Sequence, residues 1–182
     1  MKKLIFVVSI VLALLVFVTV TLAATSNSAP AATPATVAPS ASAPAAVNLA
    51  LNKPITESSH IQYFVVKNAN DGNVNSYWEG EVKTYPNLVT VDLGAASNIT
   101  SITIKLNPRL VWEKRTQTIE VLGSTDGTAF TQLVASAVYT FDPETNKNIV
   151  SIPVTANTRY LRLVFTANTG ATAGQVAELE VF

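Results

Sequence analysis

Leu88-Val89-Thr90-Val91-Asp92-Leu93, followed shortly by Ile99-Thr100-Ser101-Ile102-Thr103-Ile104-Lys105-Leu106, decides the fold. In these runs apolar side chains recur at alternate positions, the repeat of a strand with one buried face rather than the 3.6-residue repeat of a helix. The second run alternates Ile, Ile, Ile and Leu. Working outward, Thr118 to Leu122, Phe130 to Val134, Ile149 to Val154, Tyr160 to Phe165 and Val176 to Phe182 have the same character. They are rich in Val, Ile, Thr, Tyr and Phe and are bounded by Gly, Asn, Asp and Pro. Asp126-Gly127 is a hairpin turn signal between two of them. No stretch carries a sustained helical stripe. Many short strands at this spacing predict an all-β, antiparallel sandwich or jelly roll.

Upstream, the chain changes character twice. Lys2 and Lys3 precede Leu4 to Ala24, which is almost entirely apolar and uncharged, and Thr21-Leu22-Ala23 offers small residues for a signal peptidase. Residues 1–24 therefore predict export, as a cleaved signal peptide or as a retained signal anchor, since the apolar run approaches the roughly 20 residues that span a bilayer. Either form places the remainder outside the cytoplasm, because the lysines lie only on the N-terminal side. The protein is thus expected to be secreted or anchored at the extracellular surface. Residues 25–46 are nearly all Ala, Pro, Ser and Thr, a composition that buries too little apolar surface to fold and reads as a semi-extended linker. Residues 47–182 make one domain. That domain carries ten basic and twelve acidic side chains. Its slight negative balance argues against nucleic acid and against electrostatic docking on anionic lipid, leaving membrane attachment to an uncleaved anchor alone. With no Cys in the chain, an exported protein needs no disulfide and leans bacterial.

One loop stands out. Asn68-Ala69-Asn70-Asp71-Gly72-Asn73-Val74-Asn75-Ser76 holds four Asn, one Asp, one Gly and one Ser in nine residues, and leads into Tyr77-Trp78-Glu79. Asn, Asp and Ser favour turns over helix and strand. The loop is either an oxygen-rich cradle for a hard cation or an Asx-rich connection with no ion.

The order of features resembles the discoidin family, the coagulation factor V/VIII type C domains. The features are Asn48-Leu49-Ala50-Leu51-Asn52-Lys53-Pro54, the Asp71-Gly72-Asn73 loop with Trp78, Val89-Thr90-Val91-Asp92-Leu93-Gly94, a central strand entered through Arg115, Gly123-Ser124-Thr125-Asp126-Gly127-Thr128, and Val176-Ala177-Glu178-Leu179-Glu180-Val181. Among bacterial members the chain is similar to family 32 carbohydrate-binding modules, and most of all to the discoidin-like modules of secreted α-1,3-glucanases. The resemblance covers Asn48 to Phe182 and implies a jelly roll of about eight strands. It also implies one structural Ca²⁺ between the Asp-Gly-Asn loop and the last strand. Carried over, Asp71 gives a carboxylate, Asn68 and Asn73 mainly backbone oxygens, Ser76 its hydroxyl and carbonyl, Ala177 a carbonyl and Glu178 a second carboxylate. A lone carboxylate needs a second anion to hold a divalent cation, and Glu178 can supply it.

Sugar recognition needs aromatic faces and fixed planar hydrogen-bonding groups, on loops above a rigid sandwich. The candidates are few. His60, Gln62 and Tyr63 share one loop, and alternation is expected to turn one of Gln62 and Tyr63 outward. Trp78 reads as a structural brace, whereas Glu79 beside it is free to take sugar hydroxyls. Tyr85, at a turn before Pro86, offers a ring. Trp112, between Leu110-Val111 and Glu113-Lys114-Arg115, reads as an exposed stacking platform. Arg115 can hold adjacent hydroxyls or pair with Glu79. Gln175 is a weaker candidate. Close relatives have a shorter, less charged loop where this chain has Glu113 and Lys114. The resulting expectation is a monomeric, non-catalytic carbohydrate-binding module holding an exported or tethered protein on a polysaccharide, a glucan above others. The alternative is an adhesion domain for a protein partner. Catalysis is not expected: there is one His, no Cys and no second acidic cluster near Glu79, whereas glycoside hydrolysis takes a pair of carboxyl groups.

Overall fold

The computed structural model describes residues 46–182, so the signal and nearly all of the linker lie outside the described residues. Eight antiparallel strands and two single 3₁₀ turns make up the regular structure among them. The strands are β1 (Ile55–Glu57), β2 (Trp78–Glu79), β3 (Asn87–Lys105), β4 (Arg115–Ser124), β5 (Thr131–Phe141), β6 (Ile149–Asn168), β7 (Gln175–Val176) and β8 (Glu178–Val181). The main sheet runs β1-β3-β6-β4-β5, with β8 also paired to β3, and β2 pairs with β7 in a separate two-stranded ribbon. The antiparallel jelly roll is what the alternating runs predicted, and the strand count is the one the family resemblance implied.

Two features of the pattern resolve differently from the sequence reading. The runs at Leu88–Leu93 and Ile99–Leu106 form one long strand, and so do those at Ile149–Val154 and Tyr160–Phe165. Their pairing is interrupted between Asp92 and Ser97, where Gly94 adopts a φ of +89° that suits a residue without a Cβ. The first half of β3 pairs with β1 and the end of β6, and the second half with β8 and the start of β6. A second register shift between Ile99 and Ser101 lets Ile99 and Ile102, three apart, both face the core. At the other end of the chain, the closing run divides at Ala177. Gln175–Val176 joins β2, then Glu178–Val181 crosses to β3.

The core is filled by the inward residues of these strands, among them Val89, Val91, Ile104, Leu161, Leu163 and Leu179. Trp78 is fully buried, with its ring 5.6 Å from that of Phe165 and its indole N–H donating to the Ser59 carbonyl at 3.1 Å. It is the structural brace its position suggested. The domain's two ends are joined: Leu49 N–H donates to Val181 O at 2.8 Å, and Asn48 Oδ1 accepts from Val181 N–H at 3.0 Å.

Candidate functional site

The β2–β7 ribbon organises the site. Its register sets Glu79 opposite Gln175. The loop before it is tied to β2 by Ile61 N–H to Glu79 O at 3.0 Å, and the segments after β2 and before β7 are tied to each other by Gly80 N–H to Gly174 O at 3.0 Å and Lys83 N–H to Thr172 O at 3.0 Å. The fully buried Gln117 side chain fixes Gln175 from below, accepting from its backbone N–H at 2.8 Å and donating to its carbonyl at 3.0 Å.

On this base the Gln175 side chain bridges two charges. Its Oε1 accepts from Arg115 Nη1 at 2.9 Å, and its Nε2 donates to Glu79 Oε2 at 3.0 Å. Arg115 and Glu79 are therefore linked through an amide rather than paired directly. Arg115 is buried, lies 5.0 Å over the Trp112 ring and donates from Nε to Glu113 O at 3.4 Å. Burial lowers its pKa from the ordinary value, yet an arginine remains a cation there. Gly170 completes the wall, its backbone close enough that a Cβ would stand 2.6 Å from Arg115 Nε.

Beside this triad four rings run in contact: Tyr63 to Phe64 at 4.5 Å, Phe64 stacked on Tyr77 at 4.3 Å, and Tyr77 edge-to-face with Trp112 at 4.8 Å. Burial, then the neighbouring Glu79 charge, raise the Tyr77 pKa. The same two causes raise that of Tyr85, whose hydroxyl is buried without a partner among the described residues. Both phenols stay protonated near neutral pH and can donate.

Glu79, Trp112, Arg115 and the weaker candidate Gln175 thus come together, with Tyr85 near Glu79. Trp112 differs from expectation: it is half-buried, because it packs on the core and on Tyr77. The exposed ring is Tyr63, at 74%. Gln62 and Tyr63 are both outward rather than one of them, since Gln62 takes a left-handed φ of +52° that breaks the alternation. His60 is held on its own scaffold, 2.7 Å through Nδ1 from Glu57 Oε1. Sequence reasoning missed Phe64, Tyr77, Gln117 and Gly170. Tyr77 was within reach, because a buried Trp78 in a strand turns both its neighbours outward.

The Asn-rich loop lies against β8. Glu178 is 2% exposed, so it does not face solvent. Its Oε2 accepts from Gly72 N–H at 2.9 Å, while its Oε1 is buried with no partner among the described residues. Burial above all, with Asp71 adding, pushes the Glu178 carboxyl up to about 7. Asp71 Oδ2 accepts from the Ser76 hydroxyl at 2.8 Å, and Asp71 Oδ1 from Asn73 N–H at 2.8 Å. The Asn68 amide donates to Tyr77 O at 3.0 Å, tying the loop to the ring column. An orphaned buried carboxylate oxygen facing a second carboxylate suits a hard cation.

The chain matches the model of the F5/8 type C domain over residues 54–179. No curated protein matches it. Its structure is similar to the CBM32 of AlyQ in complex with 4,5-unsaturated mannuronic acid, at 22% identity and a TM-score of 0.59, covering 71% of this chain and 93% of that one. It is also similar to chitosan-binding module 1 from the chitosanase/glucanase of Paenibacillus sp. IK-5, at 22% identity and 0.59, covering 75% and 99%. A third is CpGH89CBM32-5 from Clostridium perfringens in complex with GalNAc-β-1,3-galactose, at 21% and 0.62, covering 72% and 95%. At these identities the likeness is one of fold.

Proposed function

The chain belongs to the F5/8 type C domain family, and on that premise we propose that it is a non-catalytic carbohydrate-binding module attaching an exported or surface-tethered protein to a polysaccharide, with glucan favoured. The observation that carries this reading is the triad Arg115–Gln175–Glu79 set beside a column of aromatic rings. A sugar ring presents C–H faces to aromatics and hydroxyls to fixed polar partners. Here Arg115 supplies donors locked in a planar fork, Glu79 supplies acceptor lone pairs, and Tyr77 and Trp112 supply apolar rings. The solved neighbours named for their saccharides support the same class of ligand.

Calcium fits beneath this site as a structural ion. Asp71 and Glu178 would hold it through carboxylates, Ser76 through its hydroxyl, and Asn68, Asn73 and Ala177 through backbone oxygens. The ion supplies positive charge that relieves the two facing carboxylates. The residues do the rest: they fix the loop that ends in Tyr77 and Glu79. In this reading Glu79 is a fixed acceptor for sugar hydroxyls, oriented by the bond from Gln175 at 3.0 Å, rather than an acid or base. A shallow polar site of this kind binds a disaccharide no more tightly than micromolar, so multivalent display matters more than single-site strength.

A second reading has one observation in its favour. Leu110 and Val111 are 65% and 79% exposed at the tip of the Trp112 loop, an apolar edge that suits a protein partner. The separating experiment is a pull-down of residues 47–182 on insoluble and soluble glucans, galactans and chitin with Ca²⁺ present, alongside Trp112→Ala. Retention on a glycan that is lost in the variant establishes the module. A folded domain retained by none of them moves the function to protein adhesion.

A further inference from the structure

The ring column has a second side. Between it and the Asn-rich loop lies a cleft of about 190 Å³ lined by Tyr63, Phe64, Tyr77, Asn68, Asn75 and Ser76. One wall is aromatic, and the other offers two amides, the Ser76 hydroxyl beside them being committed to Asp71. That pairing of apolar faces with planar hydrogen-bonding groups is the chemistry that holds a sugar ring. The volume is below the roughly 300–1,000 Å³ of pockets for drug-sized ligands, which limits it to a single ring. Among the described residues no donor reaches the side-chain oxygen of Asn68 or of Asn75, so both are available to hydroxyls. None of the six lining residues is charged, in contrast to the neighbouring site with Arg115 and Glu79.

Tyr77 is the wall common to both. Its ring stacks on Phe64 within the cleft and meets Trp112 edge-on beside Arg115. The cleft and the Arg115–Gln175–Glu79 triad therefore flank one continuous column of rings. We propose that the cleft between Tyr63–Phe64–Tyr77 and Asn68–Asn75–Ser76 is a second sugar subsite, taking the uncharged pyranose next to the one held at Arg115, Gln175 and Glu79. The protein then reads an extended stretch of polysaccharide rather than a lone terminal sugar. This rests on the carbohydrate-binding reading above.

The test is titration of residues 47–182 with mono- to tetrasaccharides of glucose, galactose and N-acetylglucosamine. Filling a second subsite adds one stacking contact and about one hydrogen bond, so affinity rises roughly tenfold between the monosaccharide and its longer oligomers. Asn75→Trp, which fills the cleft, and Asn75→Ala, which removes its amide, abolish that rise and leave the monosaccharide affinity unchanged. Thermal melting that keeps its response to Ca²⁺ shows that the loop is intact in these variants. Equal affinity for monomer and tetramer overturns the subsite, and so does a rise that persists in both variants. If no oligosaccharide binds the unaltered domain, the carbohydrate reading itself falls, and the subsite with it.

Discussion

Replacing Gly170 by Ala tests whether the position of Arg115, and not only its charge, makes the site. Gly170 does not adopt the left-handed conformation, so an alanine there strains no backbone. Its new Cβ would lie 2.6 Å from Arg115 Nε and 2.8 Å from both Cδ and Cζ. Restoring ordinary contact, about 3.5 Å, drives the guanidinium back by about 0.9 Å. A displacement of that size along the 2.9 Å bond from Arg115 Nη1 to Gln175 Oε1 stretches it to as much as about 3.8 Å, past the reach of a hydrogen bond. Gln175 loses the partner that orients it toward Glu79, and the Arg fork points beside the sugar hydroxyls rather than at them. A hydrogen bond to a charged group contributes about 1.5–3 kcal/mol, so Gly170→Ala weakens glycan binding about tenfold to a hundredfold. Every group proposed to touch the sugar is retained. Calorimetric titration with the glycan retained in the pull-down measures the loss, with Arg115→Ala as the reference for complete loss and thermal melting to confirm folding. Wild-type affinity in Gly170→Ala, with binding gone in Arg115→Ala, would refute the reasoning that a fixed fork is needed.

Two further predictions concern charge. In chelator, Glu178 is raised from 4.5 to about 7 in the folded state; between those pH values the native state holds a proton that the unfolded chain has lost, so stability falls as pH rises, by about 3 kcal/mol in all. The proposed calcium would bind the ionised form and remove that fall, and Glu178→Gln removes the slope and, with it, any calcium response; melts at pH 5 and pH 8 check this, and a flat profile of the unaltered protein in chelator counts against it. Asp92 behaves oppositely: the Arg159 fork, at 2.8 Å from Nε and 2.8 Å from Nη2, lowers its carboxyl to about 2. Its stabilisation is complete above about pH 4 and is lost as pH falls through 2, so Arg159→Ala costs little at neutral pH for this solvent-screened pair, and urea melts at pH 7 and pH 2 show the difference closing.

The sheet was legible because β-branched residues at alternate positions mark a half-buried strand, and six of the eight strands overlap such runs. The two short strands at Ile55–Glu57 and Trp78–Glu79 were not, since two or three residues carry no period. Nor could alternation show that the runs on either side of Gly94 are one strand bent at a corner, because a bend with Gly and small residues reads as a loop. In the candidate site, Glu79, Trp112 and Arg115 were singled out by residue type and neighbourhood, and the structure brings them together. Gln175 became central only through the register that sets it opposite Glu79, 96 residues away. The alternation of β8 alone gives no hint that Gly72 covers Glu178; only the family resemblance set that residue against the Asp71-Gly72-Asn73 loop.

The joining of Asn48 and Leu49 to Val181 has a mechanical side. A load applied through the chain before Asn48 does not peel the domain from one end. It passes at once into β8, whose residues Glu178–Val181 are zipped along β3, and through Glu178 into Gly72 and the loop that ends at Tyr77 and Glu79. Pulling from the N-terminal side of Asn48 is thereby transmitted to the rings that would grip the glycan, along a path where several backbone bonds share the force before any one of them breaks.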